Sequence, residues 1–218
     1  MKKLICLLLA LFLAVPALAE LDLSPLKDDP DWTAFPVPGS VDTFYRAANQ
    51  PYRGQVDEGF DGELVAYVDY ITLVDAGVTV PRLMICTVAW DLPLNAQEVR
   101  LTVGKTRYTL AATHTESEYD GVYMEDYASC LVGDGLELLK TIARQKNDTF
   151  IPVELLLDGS VVFSGQVIIP GEEAAQIYDR YIDMGGKTQN VKALEALWPV
   201  EKETIRYIRI SECGLRVL

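Results

Sequence analysis

Tyr123, Glu125 and Tyr127 are spaced two apart, so on a strand all three side chains point to one face. Two aromatic plates beside a carboxylate offer what a sugar ring or a cationic group needs, stacking area and a hydrogen-bond acceptor. The plainer expectation for the same residues is structural, because tyrosines are good strand formers and pair across sheets. Just upstream, Glu116, Glu118 and Asp120 alternate and are followed by Gly121. That spacing imitates the first half of a calcium loop, with oxygen ligands at positions 1, 3 and 5 and glycine at 6. Position 12, where a bidentate glutamate belongs, is Tyr127. The run therefore reads as a weak, calcium-like metal site set against a solvated acidic hairpin tip.

Other chemistries are thinned by counting. The chain holds a single histidine, His114, which removes zinc sites with several histidine ligands, H-E-x-x-H proteases and the two-histidine iron triad. Between Thr113 and Thr115, His114 reads as exposed and idle, and no serine lies in a G-x-S-x-G elbow. Gly104-Lys105-Thr106 echoes the end of a phosphate loop, but Val99 stands where that loop needs a glycine, and the flanking alternation makes it a hairpin turn. Gly133-Asp134-Gly135 lacks the third glycine of a dinucleotide fingerprint. Past residue 19 the cysteines are Cys86, Cys130 and Cys213, with no C-x-x-C pair. They leave either three free thiols or one disulfide and one thiol. A carboxylate pair of the kind that hydrolyses glycosides needs neither histidine nor cysteine, yet nothing marks which two of 32 acids would form it. No motif calls for a cofactor, and none is expected.

Charge points the same way. With 19 basic against 32 acidic residues the net charge is -13, which argues against a nucleic-acid partner, since duplex binding depends on Lys and Arg neutralising phosphates. The N-terminus explains where such a chain would go. Lys2 and Lys3 precede an apolar run from Leu4 to Val15, Pro16 interrupts it, and Ala17-Leu18-Ala19 gives a small-x-small cleavage pattern before Glu20. This is the pattern of a secretory signal peptide, and the run is short of the roughly 20 residues a membrane-spanning helix needs. The brief lysine region reads as bacterial. The expected destination is periplasmic or secreted, without membrane insertion after cleavage.

Elements that could position these residues follow from turn and period signals. Residues 20–60 carry five prolines and no sustained period, so they read as an irregular arm docked by Trp32, Phe35, Phe44, Tyr45 and Tyr52. Residues 64–73 and 80–90 read as a long hairpin turning at Asp75-Ala76-Gly77, and residues 99–103 and 108–110 as a second. A strand is expected at 122–132. Asp134 then stands where an N-cap belongs, ahead of a helix ending near Asn147. Residues 151–157 and 161–169 flank Asp158-Gly159, the dipeptide that suits a two-residue type I′ turn. Ala174, Ile177, Tyr178, Tyr181 and Ile182 repeat at helical spacing over 172–184, with Glu173 on the wet face. A short helix at 190–197 and a strand at 204–211 complete the chain.

This order lacks the alternating rhythm of a doubly wound sheet. The fold class expected is α+β, a mainly antiparallel β-sheet built from hairpins with three helices packed on it; a β-sandwich with helical additions is the alternative. The divisions are a signal peptide at 1–19, the arm at 20–60 and a single globular domain at 61–218. The expected function is an exported, non-enzymatic binding or interaction module whose partner is an extracytoplasmic protein or glycan. The rival is a secreted, glycosidase-like hydrolase.

Overall fold

The computed structural model describes residues 22–60, 62–90 and 92–205. The expected cleavage after residue 19, Cys213 and the 206–211 part of the expected last strand lie outside them. Of the described residues 49% are strand and 20% helix, so the fold is sheet-dominated, and every strand pairing is antiparallel.

The stretch expected to be irregular is instead built into the sheet. It forms helix α1 (Ser24–Lys27) and strands β1 (Trp32–Pro36), β2 (Thr43–Ala47) and β3 (Tyr52–Val56). Its prolines fall where they break no ladder: Pro25 in the first turn of α1, Pro36 at the end of β1, Pro51 just before β3. A proline confined to strand ends forfeits no hydrogen bond. Of the expected aromatic anchors Tyr45 and Tyr52 are buried and the Trp32 ring lies 5.2 Å from that of Tyr70, whereas Phe35 is exposed and stacks on Phe44.

Hairpins then follow in sequence. β4 (Gly62–Leu73) and β5 (Val78–Trp90) are the long central pair, β6 (Glu98–Val103) and β7 (Thr106–Ala111) turn at Gly104-Lys105, and β8 (Thr113–Tyr119) and β9 (Val122–Cys130) turn at Asp120-Gly121. Helix α2 (Asp134–Ala143) has Gly133, not Asp134, at its N-cap, with Asp134 inside the first turn. It also stops short of Asn147. β10 (Phe150–Leu157) and β11 (Ser160–Ile168) meet at Asp158-Gly159, both with positive φ, as a type I′ turn demands. Helix α3 (Gly171–Asp183) buries Ala174, Ile177 and Tyr181. A 3₁₀ turn (Gly186–Thr188), helix α4 (Lys192–Leu197) and β12 (Val200–Thr204) end the described chain. β12 thus starts earlier than the expected strand.

The strand order is β12-β7-β6-β10-β11-β3-β4-β5-β9-β8, with β2 pairing the far half of β4 and β1 pairing β2. β3 is the seam. Tyr52 and Arg53 pair with β4, while Gly54, Gln55 and Val56 pair with β11. Leu64 packs into this junction, and a Cβ on Gly54 or Gly165 would come within 2.9 Å of it and closer still to a backbone carbonyl. Glycine is required at both positions by close approach. One apolar core spans the seam, from Leu64, Ala66 and Ile85 on one side to Leu101, Val153 and Leu155 on the other. α2 and α3 pack on each other, with α3 over β4 and β5 and α2 against β6 and β12. A smaller cluster on the opposite face of β4, β5 and β9 joins Ile71, Val80 and Cys130 to Leu194 of α4. Among the described residues no helix is long and apolar enough to cross a membrane.

Candidate functional site

Two places gather chemistry-bearing side chains, one on β8 and β9 and one beside α3. The first contains the predicted triad. Glu125 lies on the inner face of β9 with no exposure, beneath the 92–97 connection that carries the chain from β5 to β6. Its Oε2 accepts from the Leu94 amide at 2.8 Å, and its Oε1 accepts from the Asn95 amide at 2.9 Å and the Tyr127 hydroxyl at 2.7 Å. His114 Nε2 lies 2.9 Å from the same Oε1. A carboxylate can only accept, so Nε2 carries the proton and the ring is held in that tautomer. The imidazole also stacks on Tyr127 with centroids 5.1 Å apart and planes 13° from parallel. Burial, and then the Glu125 carboxylate beside it, push the Tyr127 phenol up.

These contacts revise three expectations. His114 is neither idle nor freely exposed; it is half-buried and spent on Glu125 and Tyr127. Its polar threonine neighbours hid this, because β8 places alternate residues on the inner face and His114 is one of them. Tyr127 is 1% exposed, so its ring is covered by His114 and cannot receive a ligand, and of the two expected plates only the half-buried Tyr123 keeps accessible surface. The calcium-like run is not a loop. Glu116 and Glu118 lie in β8, where extended backbone spreads them along a line instead of around a point. Asp120-Gly121 is a two-residue turn of positive φ, in which the Gly121 amide donates to Glu118. Glu116 instead sits directly across from Glu125 in the β8–β9 register.

The second place is a cleft of about 320 Å³ between the N-terminal segment, the β2–β3 connection and α3. Its walls come from chain segments fixed by specific contacts. Gln50 acts as an extra strand residue, its side-chain amide donating to the Val68 carbonyl and accepting from the Val68 amide. Tyr52 donates to Glu173 at 2.5 Å and Tyr70 donates to the Ile177 carbonyl. Arg180 reaches from α3 to the Pro25 carbonyl and to Asp29 and lies over the Trp32 ring. The Asp31 amide first, and Arg180 second, hold the Asp29 carboxyl below its ordinary value. Asp29, Asp31 and Glu173 against Arg180 make the lining acidic, and Trp32 supplies an aromatic wall. Sequence reasoning found Trp32 and Tyr52 only as anchors. Their meeting with α3 depends on a fold in which residue 52 lies beside residue 173, and no local pattern encodes that.

A third polar group is structural. Asp69 on β4, fully buried, accepts two hydrogen bonds from Arg82 and two from Arg46. Arg46 in turn lies over Tyr67 at 3.6 Å. Among the described residues Cys86 on β5 and Cys130 on β9 are free thiols. Burial, aided by Asp126, pushes the Cys86 thiol up, and burial pushes Cys130 up to about 12. Neither is a nucleophile at neutral pH.

Compared with protein-family models, curated proteins and solved structures, the chain has no match.

Proposed function

We propose that this protein is an exported binding module, without enzymatic activity of its own, that holds an ammonium-bearing group in the cleft beside α3. The partner would be an extracytoplasmic protein presenting a lysine or arginine side chain, or a glycan presenting an amino sugar. The observation that carries the reading is the composition of the cleft, three carboxylates around a single arginine, Arg180, which itself lies over Trp32 and pairs with Asp29, while Asp31 stays exposed. The protein's own guanidinium over the Trp32 ring is the kind of cation such a surface attracts, and the adjoining carboxylates supply charge and hydrogen-bond acceptors for a second one. The volume lies at the small end of ligand sites, about 300 to 1,000 Å³, and fits one side chain or one sugar ring. A net charge of -13 favours the same partners and disfavours nucleic acid and anionic membrane surfaces. Export rests on the signal-peptide pattern of residues 1–19. In fold terms the reading is of an α+β domain, with α3 lying over the antiparallel sheet and forming one wall of the cleft.

The hydrolase reading has one observation in its favour, the cross-strand pair Glu116 and Glu125. Glu125 is, however, covered by the 92–97 connection, and its oxygens are spent on the amides and the hydroxyl described above, which disfavours a role as nucleophile or general base.

Titration calorimetry with a lysine-rich peptide, a chitosan oligosaccharide and its fully acetylated counterpart tests the proposal. Binding of either amine-bearing probe, weakened up to about fivefold by Asp31→Asn, is expected, since one exposed carboxylate facing a cation contributes up to about 1 kcal/mol. Preference for the acetylated oligosaccharide, or no saturable binding of any of the three, would overturn it.

A further inference from the structure

The two fully buried acids among the described residues, Asp69 and Glu125, are treated unequally. Asp69 is surrounded by two guanidinium groups. Glu125 is equally buried, yet among the described residues its single potential cationic partner is His114, and the residue facing it across the β8–β9 ladder is another glutamate. Like charges directly opposite on neighbouring strands repel, and an interior carboxylate without a cation is costly. The ligand atoms of His114, Glu116 and Glu125 all lie within 4.8 Å of one another. Thr87, the β5 residue opposite Glu125 on the other side, is 1% exposed, and its hydroxyl has no hydrogen-bond partner among the described residues. An unsatisfied oxygen at that depth needs an explanation.

We infer that His114, Glu116 and Glu125 form a divalent metal site, with Zn²⁺ as the ion it takes. One imidazole nitrogen and two carboxylates are a borderline-soft donor set, which selects zinc over the calcium suited to an all-oxygen shell. The ion enters between His114 Nε2 and Glu125 Oε1. The proton on Nε2 moves to Nδ1, so the imidazole stays neutral and the N–H···O bond is exchanged for two metal–ligand bonds. Those bonds, each about 2.0 to 2.2 Å, span a nitrogen-to-oxygen separation of about 3.3 to 3.6 Å at the tetrahedral angle, so the two atoms, now 2.9 Å apart, spread by about half an ångström to admit the ion. Glu125 keeps the Leu94, Asn95 and Tyr127 bonds that orient it, the outer support a metal ligand requires. Glu116, exposed at the sheet edge, closes on the ion from solvent, and three protein ligands leave a position for water. The site lies on β8 and β9 at one edge of the sheet, shares no residue with the cleft and does not depend on it.

His114 is the sole histidine, so imidazole resonances in a proton NMR spectrum of the untagged protein belong to that residue. Chelator-treated protein titrated with ZnCl₂ is expected to bind one equivalent, move both imidazole resonances and unfold at a higher temperature. His114→Ala and Glu116→Gln should each weaken binding at least tenfold, while Glu118→Gln, on the same strand face but tied to the turn, should not. Glu116→Gln changes an exposed residue and carries the test should His114→Ala fail to fold. No saturable Zn²⁺ binding, unmoved imidazole resonances, binding indifferent to Glu116→Gln, or tighter binding of Ca²⁺ than of Zn²⁺ would each overturn the assignment.

Discussion

Asp69 and Glu125 show how differently one charge is held at one depth. Asp69 is held by guanidinium groups, Glu125 by two backbone amides, a phenol and an imidazole. Removing one partner of a buried ion pair leaves the others uncompensated, at a cost of about 3 to 5 kcal/mol. Asp69→Ala strands two guanidinium groups and should fall in that range. Burial works against the charged form of Arg82, and the Asp69 carboxylate overrides it. Glu125→Gln keeps one carbonyl acceptor but turns an NH₂ toward a donor, so about 1 to 3 kcal/mol is expected. Urea midpoints of the two variants check this order, and a milder effect for Asp69→Ala would mean that the arginines find other partners. At this scale the sequence was only partly legible. Two-residue spacing put Tyr123, Glu125 and Tyr127 on one face correctly, but whether that face is wet depends on the 92–97 connection crossing over it. A crossing loop leaves no periodic trace in β9.

Elements whose local signals agreed with one another were read correctly. The Asp158-Gly159 hairpin and the α3 stripe combine turn chemistry, period and ends in a few residues, and local consistency of that kind specifies structure. β8 was missed because all but one of its residues are exposed, leaving no apolar alternation to detect, and β1 to β3 were hidden by prolines that lie at strand ends. The wet side of α3 was also simplified, since Glu173 is the acceptor for the buried Tyr52 hydroxyl. Ile177→Asp, at 3% exposure, should therefore cost roughly 3 kcal/mol or more. Glu173→Ala should cost about 1 to 2 kcal/mol by leaving that hydroxyl unpaired, and the exposed Gln176→Ala less than about 0.5. Chemical denaturation ranks the three, and equal midpoints for Ile177→Asp and Gln176→Ala would mean that α3 faces the core with another side.

The whole molecule contains several acids that folding keeps protonated. Burial raises the Tyr52 and Tyr70 phenols and the Cys86 and Cys130 thiols. Each stays protonated in the folded chain at pH values where the unfolded chain has released its proton. The unfolded state then binds fewer protons, and stability falls as pH rises. For Cys130 the window opens near its unperturbed value of 9.0 and closes near about 12, with a slope of about 1.4 kcal/mol per pH unit inside it. Unfolding free energies from urea titrations should drop between pH 7 and pH 10, by about 1 kcal/mol less in Cys130→Ala; equal drops would show that the thiol ionises as readily folded as unfolded. The seam strand has a further consequence, in time instead of in energy. β3 leaves the ribosome early, but half of its ladder belongs to β11, and the side chains of Gln55 and Gln166 that meet across it are 111 positions apart. A loop of that length closes late, after its partners exist. Until β11 is made, half of β3 stays an open edge that another copy of the chain could pair with, so the last hundred residues decide whether β3 is folded or sticky.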